Sequence, residues 1–446
     1  MQNLNTAPRD AQDSINLAEY PESTPSGQLE QQAPDSTTAA DQPPRPIDRV
    51  VAFKLLSATF AFFIAGVNDG SLGTLIPYIL CGYKIHTGQI AMLYASGFAG
   101  WLLAALLGGY PKLHLGAGGT LVLGATLQVL AYILRFWKPP FGLFCTTFFF
   151  AALGTAFQDS QANIFVSTVK TAHRWLGVIH ASYGVGCLVG PFIAAAISSS
   201  SPDRWTWFYF FPLGLTIVNL SLVASAFRSE VRLPRRLSRK LADTGEGNTR
   251  KAWPEMKLTL RNKTVWLLSI FFFFHLGAAI TAGGWLVEYL VTVRKNKLSE
   301  VGYVPSGMYG GLAVGRLVLA EPTFRLGERR MLLIYSALCL ILQIVFWKVN
   351  NLISSAVTVS LMGFFLGPFF ATGISTATKI LPVEIHATAL GLVFVIAQAG
   401  GTIFPALAGL VAGKAGVSVL QPILVALIAA MGISWVMIPR VDRKKE

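Results

Sequence analysis

Phe60-Ala-Phe-Phe-Ile-Ala-Gly-Val-Asn-Asp-Gly-Ser-Leu-Gly-Thr-Leu-Ile-Pro-Tyr78 returns, 211 residues later, as Phe271-Phe-Phe-Phe-His-Leu-Gly-Ala-Ala-Ile-Thr-Ala-Gly-Gly-Trp-Leu-Val-Glu-Tyr289. Phe60, Phe62, Phe63, Gly66, Gly73, Leu75 and Tyr78 fall on Phe271, Phe273, Phe274, Gly277, Gly284, Leu286 and Tyr289. A shift of 210 sets Gly97, Gly100, Phe136 and Trp137 on Gly307, Gly310, Phe346 and Trp347. A shift of 214 sets Leu176, Gly177, Gly186 and Pro191 on Leu390, Gly391, Gly400 and Pro405. The second half of the chain therefore duplicates the first.

Both copies are too apolar for a soluble protein. Of 446 residues 53% are hydrophobic and 13% charged, and the mean hydropathy is +0.54, whereas soluble domains carry about 25% charged residues. A helix needs about 20 mostly apolar residues to cross a bilayer. Twelve such stretches can be laid out, at 52–80, 88–109, 117–137, 140–167, 175–199 and 204–227 in the first half. The second half supplies 264–292, 303–320, 331–349, 352–378, 386–412 and 417–439. Six is an even number, so both halves face the same way and their two-fold axis runs along the membrane normal, a parallel repeat. The expected fold is an all-α membrane protein of twelve transmembrane helices in two six-helix bundles, 51–227 and 264–440.

Three polar segments complete the layout. Residues 1–50 are rich in Pro, Ser, Thr, Gln and Asp with no apolar run, and read as a disordered cytoplasmic tail without a signal peptide. Residues 228–263 form a basic linker that includes Arg235, Arg236, Arg239 and Lys240, and 441–446 form a short tail. With the linker placed inside, the inner loops hold more than twice as many Lys and Arg as the outer ones, which puts both termini in the cytoplasm. The net charge of +14 is then topological and implies membrane lipid, not nucleic acid, as the partner. Cys81, Cys145, Cys187 and Cys339 form no CxxC pair, so neither a zinc site nor a disulfide framework is expected.

A charged side chain at mid-bilayer costs roughly 2.5–3.5 kcal/mol on insertion scales, so the few present are functional candidates. Asp69 sits mid-way through the first span among residues poor in helix formers, Gly66-Val-Asn-Asp-Gly-Ser-Leu-Gly73, and a broken helix is expected there. Asp159 shares a face of the fourth span with Asn163, four residues on. A carboxyl group in an apolar cavity is a natural proton carrier, and the bland alternative is interhelical hydrogen bonding. By the repeat, Asp69 corresponds to Ile280 and Asp159 to Thr372 or Gly373, so the first half should hold the proton.

His180 and His275 add protonation or hydrogen-bonding capacity, although a lone buried histidine is more often a packing residue. Asn68, Asn163, Tyr183, Trp285 and Gln398 could line a solute site by stacking and hydrogen bonding. Glu288, near the outer end of the seventh span, reads either as a gate contact or as a solvated helix end. No P-loop, HExxH or GxSxG constellation is present, so an enzyme or primary pump is not indicated and no cofactor or metal is expected.

Together the two six-span halves, the basic central loop and Arg325-Leu-Gly-Glu-Arg-Arg330 after the eighth span resemble the major facilitator superfamily. The resemblance makes Arg316, Glu321, Arg325 and Arg329 gating candidates around that cytoplasmic loop, and implies a monomer. Asn68-Asp69 and Asp159-x-x-x-Asn163-x-Phe165-Val166 are similar to the acidic sites of the fucose–proton symporter branch. That likeness makes Asp69 and Asp159 the proton-linked pair, with sodium the lesser alternative, although the branch's sugar carriers have Glu where Asp159 stands. Asn68-Asp-Gly-Ser-Leu-Gly-Thr-Leu-Ile-Pro77 resembles fungal facilitators of the bypass-of-stop-codon type, which implies a plasma-membrane or other endomembrane carrier. Gly184-Val-Gly-Cys-Leu-Val-Gly-Pro191 is similar to the signature of proton-driven exporters. Three readings follow: a proton-coupled carrier of a small organic, sugar-like solute, an exporter of a metabolite or drug-like compound, and a non-transporting membrane sensor.

Overall fold

The computed structural model describes residues 47–107, 110–231, 254–382 and 385–439. Residues 1–46 of the tail expected at 1–50, most of the linker at 228–263 and the tail at 441–446 lie outside the described residues, and α1 begins two residues inside the expected tail, at Arg49.

The described chain is almost entirely helical. The first half contributes α1 (Arg49–Tyr83), α2 (Thr87–Leu107), α3 (Tyr110–Arg135), α4 (Phe141–Ser167), α5 (Ala172–Ser200) and, after a 3-10 segment (Pro202–Tyr209), α6 (Phe210–Ala226). The second half contributes α7 (Lys263–Thr292), α8 (Val304–Val318), α9 (Glu328–Lys348), α10 (Leu352–Leu366), α11 (Phe369–Ile380), α12 (His386–Ala415) and α13 (Leu420–Met437). Eleven spans among the described residues are long and apolar enough to cross a membrane. The eighth expected span is the exception: α8 has 15 residues, about 22 Å of helix against a hydrocarbon core of about 30 Å. The tenth span is α10 and α11 in series, separated by a turn at Gly367-Pro368, where proline cannot continue the hydrogen-bond ladder.

Local chemistry sets the ends. The Asp48 carboxylate accepts from Val51 N at 2.7 Å and caps α1, and the Asn262 and Asn351 side chains cap α7 and α10 in the same way. Lys84 in the left-handed region (φ 54) closes α1. In α3, Gly116 at φ 75 separates the first turn from the span proper, which agrees with the expected start at 117.

Leu106 and Ile353 are 75% exposed and Leu317 70%, an outward apolar surface that fits lipid tails rather than water. Inside, α1 packs on α5, α3 on α4 and α6, and α2 on α4; α7 packs on α12 and α13, and α10 on α8 and α9. Across the halves, α1 meets α7, α2 meets α12 and α5 meets α8.

The expected break in the first helix is absent: α1 runs unbroken through Gly66–Gly73. Its glycines serve close approach instead. A Cβ on Gly66 would lie 2.8 Å from Cys187 N, and one on Gly186 2.9 Å from Val67 N and against the Phe63 carbonyl. The equivalent contact recurs in the second half, where a Cβ on Gly400 would lie 2.7 Å from the Phe273 carbonyl carbon. Small residues let backbones meet where lipid gives no hydrophobic drive. The exporter-like Gly184–Pro191 run is thereby accounted for, in part, by packing on α1.

Candidate functional site

Because α1 and α5 touch backbone to backbone, side chains that flank the contact converge. The Tyr183 hydroxyl on α5 donates to Asp69 Oδ2 at 3.0 Å, and Asn68 Nδ2 donates to Asp69 Oδ1 at 3.0 Å. Asp69 is solvent-accessible yet lies deep among the helices. Asp159 on α4 is half-buried and lies within electrostatic reach of Asp69, as do Tyr183, Cys187 and Tyr309. The two acids singled out in the sequence thus lie close enough to repel one another. Asn163 turns back onto its own helix, its amide donating to the Asp159 carbonyl at 2.9 Å.

Behind Asn68 stands a group that the sequence reading passes over. Arg135, at the end of α3, is 1% exposed. Its Nε donates to Thr147 Oγ1 at 2.7 Å and its Nη1 to Asn68 Oδ1 at 3.3 Å, while the Tyr132 hydroxyl donates to the same Asn68 oxygen at 3.0 Å. The guanidinium lies 3.8 Å from the Phe148 ring centroid, with Tyr132 at 5.2 Å and Tyr209 at 5.5 Å. A basic residue near a span end reads as an interfacial charge; the signal against that is the spacing of Gln128, Tyr132 and Arg135, which puts three polar groups on one helical face.

The remaining candidates spread out. His180 is half-buried, edge-on to Phe62 at 5.2 Å, and its carbonyl accepts from Arg316 Nη1 at 3.5 Å. His275 is 6% exposed and stacked between Phe271 at 6.0 Å and Phe369 at 5.4 Å. Trp285 is buried and its indole donates to the Pro405 carbonyl at 2.9 Å. Gln398 is half-buried on α12. Glu288 is 7% exposed and accepts from Thr292 Oγ1 at 2.7 Å, so it is not a solvated helix end. Helix packing, which the repeat alone does not reveal, covers it.

Arg316 also borders a recess of about 170 Å³ with Thr323, Phe324, Glu328, Thr372 and Ser375. There Glu328 pairs with Lys379 at 3.0 Å and accepts from Ser375 at 2.8 Å. Glu321 and Arg325 pair with each other at an exposed surface. Arg329 donates to the Ile438 and Val436 carbonyls, and Trp435 Nε1 donates to the Arg329 carbonyl, tying α9 to the end of α13. Among the described residues no cluster of His, Cys, Asp and Glu could hold a metal ion.

Beyond Asp69 the two halves of the chain touch. Thr74 Oγ1 donates to the Gly302 carbonyl at 3.1 Å, a Cβ on Gly73 would lie 3.1 Å from Gly284 Cα, and Phe192 meets Tyr303 at 5.2 Å.

The family model described as Major Facilitator Superfamily matches residues 58–360. The chain belongs to the Major Facilitator Superfamily. Bypass of stop codon protein 6 of Saccharomyces cerevisiae (strain ATCC 204508 / S288c) is 24% identical over 415 residues, 88% of this chain and 83% of that protein. Among solved structures, a D-xylose-proton symporter has a TM-score of 0.70 at 12% identity, covering 88% of this chain and 99% of that one. The nucleoside transporter NupG has a TM-score of 0.67 at 14% identity, covering 87% and 100%. The E. coli fucose:proton symporter FucP has a TM-score of 0.60 at 15% identity, covering 87% and 99%. These likenesses establish the superfamily's fold for this chain, an all-helical multi-pass membrane protein.

Proposed function

We propose that this superfamily member is a proton-coupled carrier of a small, polar, sugar-like solute, working by alternating access. The observation that carries the reading is the Asp69 carboxylate, solvent-accessible yet deep among the helices, held by Tyr183 and Asn68 with Asp159 nearby. A carboxylate this deep in a membrane protein is costly unless it is used. The proton and the solute then share one space, so occupancy by either biases the same conformational equilibrium.

The two rocking bodies are the helix sets 51–227 and 264–440, moving about the α1–α7, α2–α12 and α5–α8 contacts. With both termini cytoplasmic, Thr74, Gly302 and Gly284 lie toward the outside, and Asp69 is reached from the inside. The D-xylose-proton and fucose:proton symporters among the similar structures lend the solute class its support. The protein works as a monomer in a cellular membrane.

The test is accumulation in reconstituted vesicles under an imposed pH gradient, with a panel of radiolabelled monosaccharides and nucleosides. At least one should accumulate, or be extruded, and a protonophore should collapse the gradient. Movement of a panel member with no response to the protonophore would overturn proton coupling.

A further inference from the structure

We infer that Arg135 is a positioning residue for Asp69, a buried cation that acts through the Asn68 amide to set the pH at which the Asp69 carboxyl exchanges its proton. The inference rests on the reading of Asp69 as the proton site.

The argument starts from an unusual burial. A guanidinium stays charged at any physiological pH, and a buried charge without a counter-ion is among the most expensive things a fold can contain. Among the described residues Arg135 forms no ion pair, and its Nη2 has no hydrogen-bond partner. The faces of Phe148, Tyr132 and Tyr209 and the Thr147 hydroxyl offset part of this cost. What remains is an uncompensated positive charge whose nearest route to a carboxylate is one amide long.

Asn68 provides that route. Its carbonyl oxygen accepts from both Arg135 and Tyr132, and its own NH2 donates to Asp69. Two donors on one carbonyl polarise the amide and strengthen the hydrogen bond made by its nitrogen. The charge of Arg135 therefore favours the ionised form of Asp69, whereas Asp159 opposes it.

The other groups around Asp69 are fewer. Helix α4 presents Asp159, α5 presents Tyr183 and Cys187, α3 presents Tyr132, and the 3-10 segment presents Tyr209 beside Arg135. Helix α8 presents Tyr309 and a second cation, Arg316, which donates to the His180 carbonyl and reaches Tyr183 and Cys187 rather than the Asp69 carboxylate. Tyr94 of α2 adjoins Tyr309. On α7, His275 is stacked between rings and Glu288 is bonded to Thr292. On α1 itself Lys54 pairs with Glu230, and the sequence of α6 has no titratable side chain. Arg135 is accordingly the cation joined to Asp69 by a continuous chain of hydrogen bonds.

The test is a pH titration by infrared difference spectroscopy of the purified full-length protein in vesicles, following the carboxylic acid C=O band that Asp69→Asn removes. No solute is needed. Arg135→Gln should move the midpoint of that band up by about one pH unit, and Arg135→Lys, which keeps the charge, should move it less. Asn68→Ala removes its own hydrogen bond to Asp69 as well as the bridge, so it should move the midpoint up by itself, and Arg135→Gln should add less in that background than it does alone. Arg135→Met serves in the same cycle if Arg135→Gln does not fold. A midpoint unchanged by loss of the Arg135 charge, or moved equally with and without Asn68, overturns the role of Arg135 while leaving Asp69 as the proton site. A spectrum in which Asp69→Asn removes no titrating band overturns the proton site itself, and the inference with it.

Discussion

Tyr183 on α5 reaches Asp69 on α1 with a 3.0 Å hydrogen bond, across a helix contact in which glycines stand on both sides. Gly66 and Gly70 on α1 face Tyr183 and Cys187, and Gly186 and Gly190 on α5 face Phe63 and Val67. The bond is thus a consequence of backbone proximity: a helix pair one methyl group further apart would leave the tyrosine short of the carboxylate.

A bulky residue at this contact should therefore cost both stability and the bond. Gly186→Val is expected to destabilise the protein by about 1–3 kcal/mol through overpacking. Gly97 on α2, where an added Cβ meets nothing within 4 Å, serves as the control. Gly97→Ala should be neutral or stabilising by about 0.5–1 kcal/mol, the gain of alanine over glycine in a helix. Thermal denaturation in detergent, read by size-exclusion fluorescence, checks both.

The Lys54–Glu230 pair predicts a second stability effect. Lys54 is buried in α1, 2.5 Å from Glu230 just beyond α6, and its ammonium lies 5.3 Å from the Phe227 ring centroid. Glu230→Gln leaves that ammonium without its counter-charge, at a cost on the order of 2 kcal/mol, somewhat below that of breaking a fully buried pair. Pairing it with Lys54→Met should recover most of the loss. A double-mutant cycle on melting temperature measures this, and additivity of the two single substitutions would contradict the pairing.

Topology can be checked with residues whose exposure is known. Lys297, between α7 and α8, and Arg325, before α9, are both well exposed. Cysteine introduced at Lys297 should react with an impermeant maleimide from outside intact cells, and one at Arg325 only after permeabilisation. The sequon Asn262-Lys263-Thr264 should correspondingly remain unglycosylated. Labelling of the Arg325 site in intact cells would invert the assigned orientation.

Much of this was legible in the residues. The duplication at a shift of about 211 and the length of the apolar runs gave an all-helical, multi-pass fold, because bilayer thickness imposes span length directly. Asp69 and Asp159 stood out for the same reason, since a charge inside an apolar run is conspicuous. Arg135 did not, because a basic residue at a span end is ordinary and only the packing of Phe148, Tyr132 and Tyr209 around it shows that it is buried. The glycines around Asp69 were read as loosening the helix, whereas their neighbours on α5 and α7 turn the same residues into contact points. Glu288 stayed open between a gate contact and a solvated end because water access depends on which helices cover an end, and that is a property of packing rather than of sequence position.

The most direct test of the central claim is the pH dependence of gradient-driven flux in reconstituted vesicles for wild type, Asp69→Asn and Asp159→Asn, using a panel solute that wild type moves. An amide keeps the shape and much of the hydrogen bonding of the carboxylic acid but cannot release a proton. Both substitutions should leave the protein folded and membrane-inserted, and at least one should still exchange solute down its own gradient. Both should abolish proton-driven accumulation or extrusion together with its pH dependence. Accumulation at the wild-type rate with unchanged pH dependence in both variants would contradict the account and return Asp69 and Asp159 to the role of helix-packing partners.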